Sequence, residues 1–162
     1  MGLTIPMLAI PDIRLAVPTQ ARTIAEMSRD YIEHGLGWSW TTARVLRAMR
    51  DPATNVVVML KRRAVRGFGI MQYGDDRAHL ALLAVHPTVR HQRLGGQLLG
   101  WLEHSARCAG IRQIRVEARA DNASAIAFYE HLGFRRSGML PGYYEGVLDA
   151  VQLEKILPGT GS

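Results

Sequence analysis

Glu117, Asn122 and Tyr129 fall within one run, VEARADNASAIAFYEHLGF, and offer a carboxylate, an amide and a phenol within a short stretch. Asn122 and Tyr129 are seven residues apart, close to two helical turns. They therefore share a helix face, with Ala125 and Ile126 between them. That face is small and flat between two polar groups, a shape that admits an elongated ligand. Each residue also has a plainer reading. Asn122 suits a helix N-cap, Tyr129 a packing aromatic with its hydroxyl at the surface, and Glu117 a pairing with Arg115 or Arg119 along its strand.

A second stretch, VHPTVRHQRLGGQLL from Val85 to Leu99, lies between a strand-like run (AHLALLAV) and a helix-like run (LLGWLEHSARC). The free N–H groups and the dipole of a helix start favour anions such as phosphate. Gly95 and Gly96 allow close backbone approach, and Arg90, His91 and Arg93 add side-chain charge. An ordinary strand–turn–helix with solvated arginines has the same pattern, and a glycine pair alone is a weak signal.

These residues need elements to hold them. Ile13 to Val17 reads as a strand. A helix from Pro18 to Gly35 carries Ile24, Met27, Tyr31 and Ile32 at helical spacing. GLGWSWTT is a loop whose Thr41 and Thr42 are capping candidates for a helix ending at Asp51–Pro52. Asn55 to Leu60 is a strand, KRRAVRG a turn, and Phe68 to Tyr73 a strand. His79 to Val85 is continuously apolar, as in a strand covered on both faces. A helix from Leu94 stops at Gly110. Arg112 to Arg119 alternates cleanly, and Asp121 or Asn122 caps a helix ending at Gly133. A loop containing PGYYEG leads to a last strand, Ala150 to Ile156.

The 162 residues are read as a single domain over 1–162, with residues 1–11 an N-terminal segment open to poor order. The fold class is α/β, a mixed sheet in the order β-α-α-β-β-β-α-β-α-β-β. Hydrophobic residues make up 48% and charged residues 21%, which excludes a disordered chain. No apolar run is long enough to span a bilayer, and MGLTIPMLAIP lacks the basic segment of a signal peptide. The one cysteine, Cys108, excludes an internal disulfide framework and is read as a small buried thiol. Together these features suit a cytoplasmic protein. The net charge of +6 is spread along the chain without an aromatic-studded basic stripe, which disfavours nucleic acid as partner. No clustered His/Cys spacing suggests a metal.

On the HPxxR…LG turn after an apolar strand and the NxxAIxFYxxLGF helix, the chain resembles the GCN5-related N-acetyltransferase (GNAT) superfamily. Its second half is most similar to the ribosomal-protein-alanine and protein N-terminal acetyltransferases. The resemblance implies the acyl-CoA N-acyltransferase fold with a central splayed strand pair, and acetyl-CoA as cosubstrate with no metal. It implies that the backbone of Leu83, Ala84 and Val85 pairs with the pantetheine amides. The pyrophosphate would lie on the amides of His91, Gln92, Arg93, Leu94, Gly95 and Gly96, with Arg90 beside it. Asn122 and Ala125 would meet the cofactor, and Tyr129 would lie near its sulfur. Glu117 is placed as proton acceptor, directly or through water, and Tyr129 as donor to the departing thiolate. The family pattern Arg/Gln-x-x-Gly-x-Gly/Ala, aligned on Arg90 and Gly95, puts Arg93 where a glycine stands. That substitution leaves the backbone path of the turn in question.

GYYEGVLDAVQL resembles the end of the N-terminal acetyltransferases, where paired tyrosines flank the acceptor peptide. Tyr143 and Tyr144 match, while Val147 and Leu148 break the usual acidic pattern. Such a pair is also common as plain packing. Trp38 and Trp40 lie where the variable acceptor-side helices sit, and either line an acceptor pocket or lock the loop to the core. The leading expectation is an N-acetyltransferase acting on a protein N-terminus, as monomer or homodimer. A small-molecule amine, amino-acid or antibiotic N-acetyltransferase is the enzyme alternative. A non-catalytic acyl-CoA-binding module and a nucleic-acid-binding domain are the others.

Overall fold

The alternation that marks residues 112–119 as a strand is one of eleven element-forming patterns that fold in the expected order. The computed structural model describes residues 11–159, with His91 and Gln92 described by backbone alone. The expectation for residues 1–11 therefore lies outside the described residues except at Pro11. The elements are β1 (Asp12–Leu15), α1 (Ala21–Met27), α2 (Thr42–Arg50), β2 (Thr54–Lys61), β3 (Ala64–Tyr73) and β4 (Arg77–Val85). They continue with α3 (Leu94–Cys108), β5 (Gln113–Arg119), α4 (Ala123–His131), β6 (Arg135–Tyr144) and β7 (Leu148–Ile156). The strands form one sheet in the order β1-β2-β3-β4-β5-β7-β6, with β4 and β5 its one parallel pair.

Two apolar clusters cover the sheet. On one face α3 and α4 pack Leu98, Leu99, Leu102 and Ile126 against Val57, Met71, Ile114 and Val116. On the other, Ile24, Val45 and Trp40 pack against Val56, Phe68 and Ile70. Ile126 thus faces the core, whereas Ala125 keeps the open side of α4. Helix α3 lies against β3, because Gly69 has no side chain there. A Cβ on Gly69 would come within 2.7 Å of Leu102 Cδ1.

Strand β4 changes character midway. Ile70 of β3 stands opposite Leu82 and Met71 opposite Leu80, which leaves Ala81 as an extra, bulged residue. Before it, Ala78 and Leu80 point into the α3 side; after it, Leu83 and Val85 do. The parallel pairing with β5 ends at the same place, at Leu80 opposite Val116. Beyond that point β4 and β5 part, and the expected splayed pair is present.

Four local expectations are corrected. The helix expected from Pro18 to Gly35 is a 3₁₀ turn, the short α1 and a π turn over Ser28–Ile32. There the Glu33 N–H donates to the Ser28 carbonyl at 2.8 Å. The turn KRRAVRG shrinks to Arg62 and Arg63, both at positive φ (51° and 66°), so β3 starts at Ala64. This is the handedness a tight hairpin requires. PGYYEG lies largely within β6, and the turn falls at Glu145 and Gly146. Cys108 is exposed, since the buried stripe of α3 runs through Leu98, Leu102 and Ala106 and leaves position 108 off it.

Candidate active site

The parting of β4 and β5 opens a cavity of about 1250 Å³ that reaches both faces of the sheet. Its walls are the second half of β4, the start of α3, the outer half of β5 and the open face of α4. From Ala81 to Val85 the β5-facing edge of β4 has no strand partner, so its backbone N–H and C=O groups are free to pair with an extended, amide-bearing ligand. Leu83, Ala84 and Val85 all line the cavity.

The start of α3 forms another wall of the cavity. The backbone leaves β4 at His86, which caps a 3₁₀ turn over Pro87–Gln92 by accepting from the Thr88 N–H. Arg93 then adopts φ 58°, ψ 21°, the left-handed region where glycine is at ease. The arginine that departs from the family pattern therefore sits at a backbone conformation that favours glycine. Among the described residues no side chain caps α3, so its first N–H groups are open to a ligand or water. Arg93, Gly95 and Gly96 line the cavity there. Gly95 has a packing role as well, because a Cβ on it would sit 3.2 Å from the Phe128 ring of α4. Arg90 also lines the cavity, but its Nε donates to the Val85 carbonyl at 3.2 Å and its guanidinium lies over Tyr31, 5.5 Å from the ring centre. The backbone of His91 and Gln92 belongs to the turn, and their side chains lie outside what is described.

Glu117 and Tyr129 enter from opposite sides of the sheet. Ile114, Val116 and Ala118 of β5 are buried under α3 and α4, so Glu117 projects to the α1–α2 side. Its side chain is only 6% exposed, yet it lines the cavity. One carboxylate oxygen accepts from Arg115 Nε at 3.1 Å and the other meets His79 Nε2 at 2.6 Å. The pairing with Arg115 is one of the plainer readings of Glu117, and it holds alongside the cavity position.

Tyr129 projects from α4 on the other side, packed edge-on between Phe128 and Phe134. The residue is 7% exposed and lines the cavity, and its hydroxyl forms no hydrogen bond within the described residues. Burial, and secondarily the neighbouring Tyr144, push its pKa far above the ordinary phenol value. Tyr129 therefore holds its proton at neutral pH. Asn122 caps α4 by accepting from the Ala125 N–H at 3.0 Å, which is its plainer reading, and it also lines the cavity.

Of the acceptor-side candidates, Tyr144 lines the cavity and packs edge-on against Tyr143. Tyr143 is nearly half exposed and lies outside the lining. Burial raises the pKa of both, with Glu117 adding to the effect. Trp38 is not in the lining either; its indole N–H donates to the Ala25 carbonyl at 3.1 Å. Trp40 is buried and stacks on Arg44, so both tryptophans fix the loop.

Three further residues have roles here. Glu33 is buried and accepts from the hydroxyls of Ser28 and Ser39 and from the N–H groups of Ser39 and Trp40, which organises the loop before α2. Glu145 accepts from the Gly37 N–H at 2.7 Å and ties that loop to the β6–β7 hairpin. His79 touches Glu117, and its signal was a lone histidine in an otherwise apolar strand.

The sequence matches the model of the Acetyltransferase (GNAT) family over residues 21–134, and the chain belongs to that family. Among curated relatives it is similar to the [Ribosomal protein bS18]-alanine N-acetyltransferase of Escherichia coli K12, 39% identical over 87 residues. That match covers 52% of the chain and 59% of the relative, so it spans little more than half the length of that enzyme. The solved structure of the ribosomal-protein-S18-alanine N-acetyltransferase from Escherichia coli superposes with a TM-score of 0.79 at 26% identity, covering 94% of this chain and 97% of that one. Ard1 from Thermoplasma volcanium superposes with a TM-score of 0.82 at 25% identity, covering 91% and 98%.

Proposed function

We propose that this protein transfers the acetyl group of acetyl-CoA to a primary amine by direct attack, and that the amine is a protein or peptide N-terminus. The observation that carries this reading is the meeting of Glu117 and Tyr129 in one cavity from opposite faces of a split sheet. When bound, acetyl-CoA supplies the activated thioester carbonyl. The free edge of β4 over Leu83, Ala84 and Val85 holds the pantetheine arm. The uncapped start of α3, from Arg93 to Gly96, takes the pyrophosphate, where the helix dipole favours negative charge. Asn122 and Ala125 close the α4 side.

An amine must be neutral to attack. An α-amino group has an ordinary pKa of about 7.7–8.0, against about 10.4 for lysine, so an N-terminus needs less help. Glu117 takes the proton the ammonium gives up. A β4 backbone N–H beside the bulge polarises the carbonyl oxygen. Tyr129, held protonated by burial, gives its proton to the leaving thiolate. The relatives named for alanine N-termini and the Tyr143–Tyr144 pair support a peptide acceptor over a small amine.

Thiol release measured over a panel of free-amine peptides, amino acids, polyamines and aminoglycosides tests the proposal. Turnover with free-amine peptides, abolished by prior N-acetylation of the peptide, is expected. Turnover with a small amine alone reassigns the acceptor, and no turnover in the presence of measurable acetyl-CoA binding favours a binding module.

A further inference from the structure

The sheet face that carries Glu117 is only partly covered. Among the described residues, the apolar cluster beneath α1 and α2 draws on β2, β3 and β4 and includes no residue of β5 or β7. Strand alternation puts Gln113, Arg115 and Glu117 on that open face, because Ile114 and Val116 face α3 and α4. Register then gathers charge beside them. Arg77 stands opposite Gln113 and His79 opposite Arg115 across the parallel pair, and Glu154 of β7 stands opposite Arg115. Together with the β3–β4 turn at Gly74 they line a pocket of about 250 Å³ that shares no lining residue with the large cavity.

The polar atoms of this pocket divide into engaged and open ones. His79 Nε2 meets Glu117 Oε2 at 2.6 Å and Nδ1 meets Gln72 Oε1 at 3.3 Å, so the ring serves as a wall between the pocket and Glu117. Arg115 gives its Nε to Glu117 at 3.1 Å, which leaves its terminal nitrogens open. Arg77 has no hydrogen-bond or ion-pair partner among the described residues. Glu154 Oε2 accepts from Gln113 Nε2 at 2.6 Å, which leaves Oε1 open. No ion pair joins Glu154 to Arg77 or Arg115 among the described residues. Two guanidinium groups and one carboxylate thus face one small space without neutralising each other. The planar fork of a guanidinium matches a carboxylate, and an open carboxylate oxygen accepts from an ammonium. A ligand of one sign meets a like charge on one wall, whereas a zwitterion satisfies both.

We propose that this pocket binds a small zwitterion, a free α-amino acid, with its carboxylate on Arg77 and Arg115 and its ammonium on Glu154. Arg115 then serves two carboxylates, Glu117 through Nε and the ligand through its terminal nitrogens. The site goes beyond the acetyl-transfer cleft and does not rest on the transfer reading.

Calorimetric titration of the protein saturated with CoA tests this, since CoA occupies its own site and brings no acetyl group to transfer. The probes are alanine, propionate and ethylamine, which carry both charges, the carboxylate alone and the ammonium alone. Saturable heat with alanine is expected, with propionate and ethylamine weaker by about tenfold or more. Arg77→Gln and Glu154→Gln should each weaken alanine binding by about tenfold. Arg77 is exposed and without a partner among the described residues, so its variant should fold, and an unchanged Kd for CoA checks that it does. No heat with alanine at millimolar concentrations overturns the proposal. Propionate binding as tightly as alanine overturns it as well, because Glu154 would then hold nothing. Alanine affinity unchanged in Arg77→Gln places the amino acid elsewhere and overturns it too. None of these readouts needs turnover, so their failure leaves the acetyl-transfer reading standing, and failure of the amine panel leaves this pocket standing.

Discussion

Tyr129 lines the cavity while buried, and its hydroxyl has no hydrogen-bond partner among the described residues. Tyr129→Phe keeps the ring contacts to Phe128 and Phe134 and removes only the proton. It should lower kcat by about 10²–10⁴-fold with the KM for acetyl-CoA unchanged, and steady-state kinetics against each substrate separate the two. An equal loss in both would mark a binding or packing role. Arg93 makes the opposite kind of prediction. Its left-handed backbone costs an L-residue about 1–2 kcal/mol, so Arg93→Gly should raise the denaturation midpoint, while Arg93→Ala keeps the strain. If the guanidinium also reaches a phosphate, both variants weaken acetyl-CoA binding. The shared helix face of Asn122 and Tyr129 and the polar strand face of Glu117 were legible in the sequence as local spacing, whereas the roles assigned to them came from the family resemblance. His79 was not, because its contact with Glu117 depends on the parallel register of β4 and β5, which is set by tertiary packing.

Among the elements, the β4 bulge decides where the sheet opens. The apolar run from His79 to Val85 announced a buried strand, but the extra residue at Ala81 exists only relative to β3 and has no composition signature. The same limit hid the ends of β3 and β6. Turn chemistry suggested loops where Arg62–Arg63 and Glu145–Gly146 suffice. The α3–β3 contact is a second device of this scale. Gly69→Ala should lower stability by about 1–3 kcal/mol through overpacking against Leu102, since a Cβ would sit 2.7 Å from its methyl. Chemical denaturation measures this directly. Gly95→Ala, at 3.2 Å from Phe128, should weaken acetyl-CoA binding and stability together, because the start of α3 and its contact with α4 share one residue.

For the whole molecule, the tyrosines set a pH limit. Burial raises the pKa of Tyr129 and Tyr144 above the ordinary phenol value, and so the unfolded chain loses those protons first. The folded state then binds more protons than the unfolded state above about pH 10, and stability falls as pH rises through that range. Below it the contribution is fully present. Denaturation midpoints followed from pH 8 to 11 should decline less steeply in Tyr129→Phe and Tyr144→Phe than in wild type. No described helix is long and apolar enough to cross a membrane.

Hydrogen–deuterium exchange with and without acetyl-CoA addresses the central claim most directly, that one ligand lies along the free edge of β4 and on the start of α3. The account predicts slowed exchange for amides in residues 81–85 and 93–97, with the β1 edge of the same sheet unaffected. Exchange unchanged in both segments at saturating acetyl-CoA would contradict it.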